Sequence, residues 1–175
     1  MCSSDLLVAF RFETGDVVWE KKIGKSTDKF LDLNSNIILF NNLVATSDSA
    51  GNIYFINVKN GEIKRQVNTD ATTNLILHSN KIYYGSAQGN LKYLNEDYDV
   101  VELGKASAHS LTRVGVWREG LISGDIKGEI SFHSTNSDQQ YERKHLGNDL
   151  SAIFTKPEKG TLGGLVLFKI GRAHV

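Results

Sequence analysis

The sequence predicts an all-β fold built from repeated four-stranded antiparallel units. A glycine followed four residues later by an aromatic residue occurs four times, at Gly51 and Phe55, Gly89 and Tyr93, Gly128 and Phe132, and Gly164 and Phe168. The glycines are 38, 39 and 36 residues apart, near the length of a propeller blade. No stretch shows helical periodicity over three turns. These observations together predict about three complete four-stranded blades and two partial blades of a β-propeller fragment.

The repeated pair predicts a turn followed by a strand. Glycine has no Cβ, so it adopts the positive φ of a tight turn at little cost. Side chains alternate between the faces of a strand, so each aromatic residue takes the same face of the strand after its turn. A sandwich or a barrel could also contain four-stranded units, but neither repeats a turn motif at a fixed period, which favours the propeller.

Alternating apolar residues and turn residues place the strands in order. The last two strands of a partial blade are predicted at 7–10 and 16–22. Three complete blades follow, with strands at 36–40, 43–47, 52–57 and 62–68; at 73–78, 81–85, 90–94 and 98–103; and at 111–118, 121–124, 129–134 and 139–146. The first two strands of another partial blade are predicted at 150–155 and 161–169.

The two ends of the chain differ from the repeat between them. Residues 170–175 can be encoded by ATC GGA AGA GCA CAC GTC, and the reverse complement of this string contains GTG TGC TCT TCC GAT. Read from a GTG start codon, that string encodes residues 1–5. We therefore expect 1–6 and 170–175 to be non-native scars that resemble translated sequencing adapter. The native part, 7–169, is then one continuous propeller fragment with too few blades to close a ring of four to eight.

Composition excludes several classes of function. Lysine and arginine total 20, as do aspartate and glutamate, so no basic field favours nucleic acid or an anionic membrane. No apolar run approaches the roughly 18 residues that a membrane-spanning helix needs. The only cysteine is Cys2, within the N-terminal scar, so 7–169 contains no thiol for a metal, a disulfide or nucleophilic chemistry. The cellular compartment stays open.

No group of side chains predicts catalysis, a cofactor or a metal. His78, His109, His133 and His145 lack the close spacing of zinc ligands. His109 is placed where it could bond a neighbouring blade, and we expect His133 and His145 on outer strands in water. The acidic residues are expected at solvent-facing turns, and they have no calcium-loop spacing; they are Glu13, Asp16, Asp48, Glu62, Asp97 and Asp125.

The two tryptophans have two interpretations. Trp19 and Trp117 could stack on a planar ligand such as a quinone. In repeat propellers such residues more often pack between neighbouring sheets, where a large ring buries much apolar area. We therefore expect both tryptophans to be structural repeat positions.

Two stretches resemble known propeller repeats. Residues 7–19 resemble the quinoprotein-like (PQQ-like) repeat, in which a Thr-Gly turn precedes a strand carrying a tryptophan. The turn recurs at 59–63, but Arg65 stands at the tryptophan position. Residues 108–132 resemble a WD-repeat, with Lys127 and Phe132 where that repeat usually has Asp and Trp.

These resemblances imply a non-catalytic scaffold that binds a protein or peptide partner through blade loops, without nucleic acid or a cofactor. One alternative is a fragment of a PQQ-dependent quinoprotein dehydrogenase, an enzyme class that carries its tryptophan motif in most blades. Another is a propeller sensor domain of a larger signalling protein. A shared fold does not decide among them.

Overall fold

The computed structural model describes residues 6–23, 36–135, 140–145, 152–155 and 165–168. The described residues form sixteen strands and no helix. In chain order the strands are β1 Leu6–Phe10, β2 Val17–Lys22, β3 Ile38–Phe40, β4 Leu43–Ser47, β5 Asn52–Asn57, β6 Ile63–Asn68, β7 Ile76–His78, β8 Lys81–Gly85, β9 Asn90–Leu94, β10 Val100–Lys105, β11 Leu111–Trp117, β12 Gly120–Asp125, β13 Glu129–Ser134, β14 Gln140–His145, β15 Ala152–Thr155 and β16 Leu165–Phe168.

The strands form three four-stranded antiparallel sheets and two two-stranded ones. Each sheet is a meander in which every strand pairs with the next strand along the chain: β3 to β6, β7 to β10 and β11 to β14 are complete blades, and β1–β2 and β15–β16 are partial ones. The predicted fold class is confirmed. The chain divides into two compact units, Met1–Ala71 and Thr72–Val175.

The observed β10 is displaced by two residues from its predicted bounds. The sequence predicts a strand over 98–103, whereas β10 begins at Val100. Tyr98 has a φ of 69°, and its N–H bonds the carbonyl of Asn95, so it closes the preceding turn. In the corresponding turns of the other unit, glycine takes the equivalent place at Gly15 and Gly61, with φ of 74° and 69°. The sequence did not indicate this turn residue, because a tyrosine rarely adopts a positive φ.

The three described repeat glycines adopt the conformation that the sequence predicts. Gly51, Gly89 and Gly128 have φ of 86°, 83° and 82°. Each closes a four-residue turn, at 48–51, 86–89 and 125–128, in which the glycine N–H donates to the carbonyl of the first turn residue. We call these the glycine turns. Gly164 lies outside the described residues, and of Phe168 only the backbone, in β16, is described.

The three repeat aromatics occupy one register position in successive blades. Phe55 lies opposite Ala45, Tyr93 opposite Tyr83 and Phe132 opposite Ile122. Each packs on a further ring, with centroids 6.1 Å apart for Phe40 and Phe55, 5.5 Å for Tyr83 and Tyr93, and 6.4 Å for Trp117 and Phe132. Phe55 is fully buried, whereas Tyr93 and Phe132 are half-buried.

Trp19 packs against the turn that links β5 and β6. Its Nε1–H donates to the carbonyl of Val58 at 2.7 Å. Its ring covers Gly61, where a Cβ atom would lie 2.7 Å from Trp19 Cε3. Trp117 is half-buried with Phe132 against Ile122. Trp19 thus contacts the neighbouring sheet, whereas Trp117 packs within its own sheet.

The second unit has its own core between β7–β10 and β11–β14. Its buried members are Tyr83, Leu91, Leu103, Ala106, Leu111, Val114 and Leu121. Asn74 joins the two sheets, because its Nδ2 donates to the Val114 carbonyl at 3.0 Å and its Oδ1 accepts from the Val114 N–H at 3.1 Å. One side chain thereby satisfies both backbone groups of a strand residue, as a neighbouring strand would.

Candidate functional site

The candidate site is a set of loops at one end of the second unit. It comprises the glycine turns at 86–89 and 125–128 and the connection 106–110 between β10 and β11. Strands alternate in direction within each sheet, so β8, β10 and β12 all end at the same end of the unit. The three segments follow these strands and therefore lie at that end. We call this set the loop surface.

The glycine turn at 86–89 is held by the connection 106–110. The carbonyl of Gly89 accepts the N–H groups of Ala106 at 2.9 Å and Ser107 at 3.1 Å. The carbonyl of Ser86 accepts the N–H of Leu111 at 3.1 Å. A Cβ atom at Gly89 would lie against the Ser107 carbonyl and only 2.5 Å from that of His109. Only glycine permits this close backbone approach.

Asp125 joins the glycine turn at 125–128 to the same connection, 106–110. Its side chain is fully buried. Oδ1 accepts the N–H groups of Lys127 at 2.8 Å and Glu129 at 2.9 Å, and Oδ2 accepts the hydroxyl of Ser107. The N–H of Ile126 donates to the Ser110 carbonyl at 3.1 Å. The loop surface is therefore one hydrogen-bonded frame rather than three independent loops.

The same device occurs in every described glycine turn. The first turn residue, Asp48, Ser86 or Asp125, accepts the N–H four residues later through a side-chain oxygen at 2.8, 3.1 and 2.9 Å. Our expectation that Asp48 and Asp125 face solvent is wrong, since both are buried. Buried N–H groups need an acceptor, and a short oxygen-bearing side chain supplies it locally. Its signal in the sequence is an Asp or Ser three residues before each of the three described repeat glycines.

Tyr54 provides a test of this device in the first unit. Its hydroxyl donates to Asp48 Oδ2 at 2.8 Å, and burial, followed by that carboxylate, raises the pKa of Tyr54 to about 12. The unfolded chain ionises near the ordinary tyrosine value of about 10, so raising the pH toward 12 favours unfolding. We expect this contribution to stability to be complete below about pH 10 and lost as the pH approaches 12. The alkaline loss should be smaller in Tyr54→Phe, measured by denaturant unfolding across that range; equal losses would contradict the assignment.

Several side chains of the loop surface reach solvent. Ala87, Gln88, Ala108, His109 and Lys127 are exposed, and Ile126 is 43% exposed. The His109 backbone N–H donates to Ser107 Oγ at 3.0 Å, while its imidazole makes no hydrogen bond to another described residue. The His109 imidazole thus forms no hydrogen bond to a neighbouring blade among the described residues.

His133 differs from expectation. It lies on β13, which is the third strand of its sheet and not an outer one, and its side chain is buried, not in water. The side chain of His145 lies outside the described residues.

Among the residues that the structure describes, no three His, Cys, Asp or Glu side chains could hold a metal ion. No helix long and apolar enough to cross a membrane occurs in that part of the chain.

Comparisons with known proteins agree with the strand arrangement. No family model matches the chain. The chain is 23% identical over 156 residues to the outer membrane protein assembly factor BamB of Legionella pneumophila (strain Paris), a match that covers 85% of this chain and 41% of that protein. The chain therefore spans less than half the length of this curated relative.

Two solved structures resemble the chain. The computationally designed Ika8 protein matches with a TM-score of 0.70 and 16% identity over 89% of this chain and 48% of its own. BamB from Moraxella catarrhalis matches with a TM-score of 0.53 and 12% identity over 85% of this chain and 60% of its own. Together with three four-stranded meanders, each with a glycine turn between its second and third strands, these likenesses show that the chain has the fold of a β-propeller.

Proposed function

We propose that this chain is part of a non-catalytic β-propeller scaffold that binds a protein or peptide partner through its blade loops. The observation that carries the proposal is the hydrogen-bonded frame of Gly89, Ser107 and Asp125, which holds exposed side chains on a fixed backbone. A rigid platform with exposed loop residues lowers the entropy lost on binding. The curated relative is an assembly factor for outer membrane proteins, which supports a protein partner.

The buried polar groups of the loop surface support a structural role. Three protein hydrogen bonds already engage the two carboxylate oxygens of Asp125. This carboxylate is buried behind its own turn, so it is not placed to take a proton from a bound molecule. The frame supports recognition, and we infer no reaction from it.

Strand register does not favour the quinoprotein dehydrogenase alternative. Trp19 lies opposite Ala9, and the equivalent positions in the next two blades, opposite Phe55 and Tyr93, are Arg65 and Val101. In the following blade Glu142 lies opposite Phe132, so the tryptophan is present at one of the four described repeats. No specific observation favours the sensor-domain alternative.

Peptide selection tests the proposal. Purified chain would be used to select ligands from a random peptide library, and their affinities would be measured calorimetrically against two variants. We expect Ile126→Ser, on the loop surface, to weaken binding about ten-fold, and Leu77→Ser, exposed on β7 away from those loops, to leave it unchanged. Peptides that respond only to Leu77→Ser, or a thermal midpoint that rises by several degrees with pyrroloquinoline quinone, would overturn the proposal.

A further inference from the structure

The two ends of the second unit carry opposite charges. Among its described residues, the exposed charged side chains nearest the loop surface are basic: Lys105, Arg113 and Lys127. The described turns at the opposite end carry mainly exposed acids, with Arg118 as the one exposed base among their described residues; the acids are Glu96, Asp97, Asp99 and Glu119. Because the whole chain has equal numbers of acids and bases, this is a local separation of charge and not an excess.

Among the residues that the structure describes, no acidic side chain forms an ion pair with the cations at the loop surface. Arg113 and Lys127 form no ion pair with any described residue. Lys105 donates from Nζ to the carbonyl of Gln88, which keeps the lysine charge beside the glycine turn at 86–89. Among the nearby acids, Asp125 is buried and accepts the Lys127 N–H, Glu129 at the start of β13 is half-buried, and Glu102 on β10 accepts the Asn90 amide at 3.3 Å. None of the three forms an ion pair with these cations.

An exposed apolar side chain lies beside the cations. Ile126 precedes Lys127 in the glycine turn at 125–128, and its side chain is 43% exposed. Its N–H is bound by Ser110, and the turn is closed by Gly128 and Asp125, so the side chain is held outward by its backbone. A fixed aliphatic group beside unpaired cations matches a ligand that presents carboxylates next to an apolar residue.

We propose that the loop surface binds an acidic peptide segment of the partner, with carboxylates on Arg113 and Lys127 and an apolar residue on Ile126. This inference rests on the proposed function and adds the chemistry of the partner. The guanidinium of Arg113 can bind a carboxylate through two parallel hydrogen bonds, whereas the ammonium of Lys127 acts as a point charge. A peptide fits better than a nucleic acid, because only three exposed cations lie near the loop surface among the described residues and the overall charge is zero.

Matched peptides provide the test. A fluorescent peptide of alternating Asp and Leu would be compared with an otherwise identical peptide containing Asn in place of Asp, using anisotropy on the complete chain. We expect the acidic peptide to bind about ten-fold more tightly, and that advantage to shrink between about 50 and 300 mM salt because exposed charges are screened. The double variant Arg113→Gln with Lys127→Gln should lose the advantage. Arg118→Gln at the opposite end should keep it, and thermal midpoints would confirm that both variants fold.

Each outcome bears on a defined statement. Equal binding of both peptides at the loop surface would overturn the acidic partner while leaving the proposed function intact. Binding of neither peptide, together with failure of the peptide selection, would overturn both. Displacement of the acidic peptide by single-stranded DNA or by anionic phosphatidylglycerol vesicles at equal charge concentration would mean that the surface attracts any polyanion, and the peptide inference would be wrong.

Discussion

Gly89→Ala is expected to lower the free energy of unfolding of the second unit by about 3 to 5 kcal/mol, from the combined costs of a strained left-handed residue and an overpacked contact. Gly89 has a φ of 83°, and an added Cβ would meet the backbone carbonyls of Ser107 and His109. These carbonyls belong to a connection that is itself bonded to Gly89, so they cannot retreat without breaking the bonds from Ala106 and Ser107. Denaturant unfolding monitored by circular dichroism measures the effect.

Gly15→Ala is the matched control. Gly15 has a similar φ of 74°, but no atom lies within 4 Å of the position its Cβ would take. We therefore expect a cost of only about 1 kcal/mol, the conformational part alone. Equal costs at the two glycines would show that the close approach of connection 106–110 to the turn contributes nothing to stability.

Asp125→Ala is expected to lower the free energy of unfolding by about 3 kcal/mol, the second large effect. The substitution removes the acceptor of the Lys127 and Glu129 N–H groups and of the Ser107 hydroxyl. A buried donor left without an acceptor costs about 1 to 3 kcal/mol. Here three donors lose their partner, although water entering the small cavity offsets part of the loss. The same unfolding measurement applies.

Two further variants separate the roles of the two carboxylate oxygens of Asp125. Asp125→Asn keeps an amide oxygen for the Lys127 and Glu129 N–H groups, so we expect it to cost less than Asp125→Ala. Ser107→Ala removes the hydroxyl bonded to Oδ2 and should cost about 1 kcal/mol, a typical value for one hydrogen bond. If Asp125→Ala proved as mild as an exposed substitution, within about 0.5 kcal/mol, the frame of the loop surface would not depend on this carboxylate.

Local signals in the sequence were sufficient for the strands and glycine turns. Gly51, Gly89 and Gly128 recur at a nearly fixed period, and their conformation depends on a property of glycine itself. The strands around them follow from alternation over five or six residues. Tyr98 shows the limit of this reasoning, because a tyrosine closes a turn that glycine closes at Gly15 and Gly61. Nothing in its own chemistry indicates a positive φ.

By itself, the sequence determined that the chain is a repeated all-β protein and where its turns lie, since both depend on neighbours close along the chain. Only the tertiary structure decided that Asp125 is buried on Ser107, 18 residues away, that His133 is covered within its sheet, and that exposed bases gather at one end of the second unit. Burial and charge clustering depend on which distant segments meet when the blades stack. The periodicity of one strand does not contain that information, because it reports only on the strand itself.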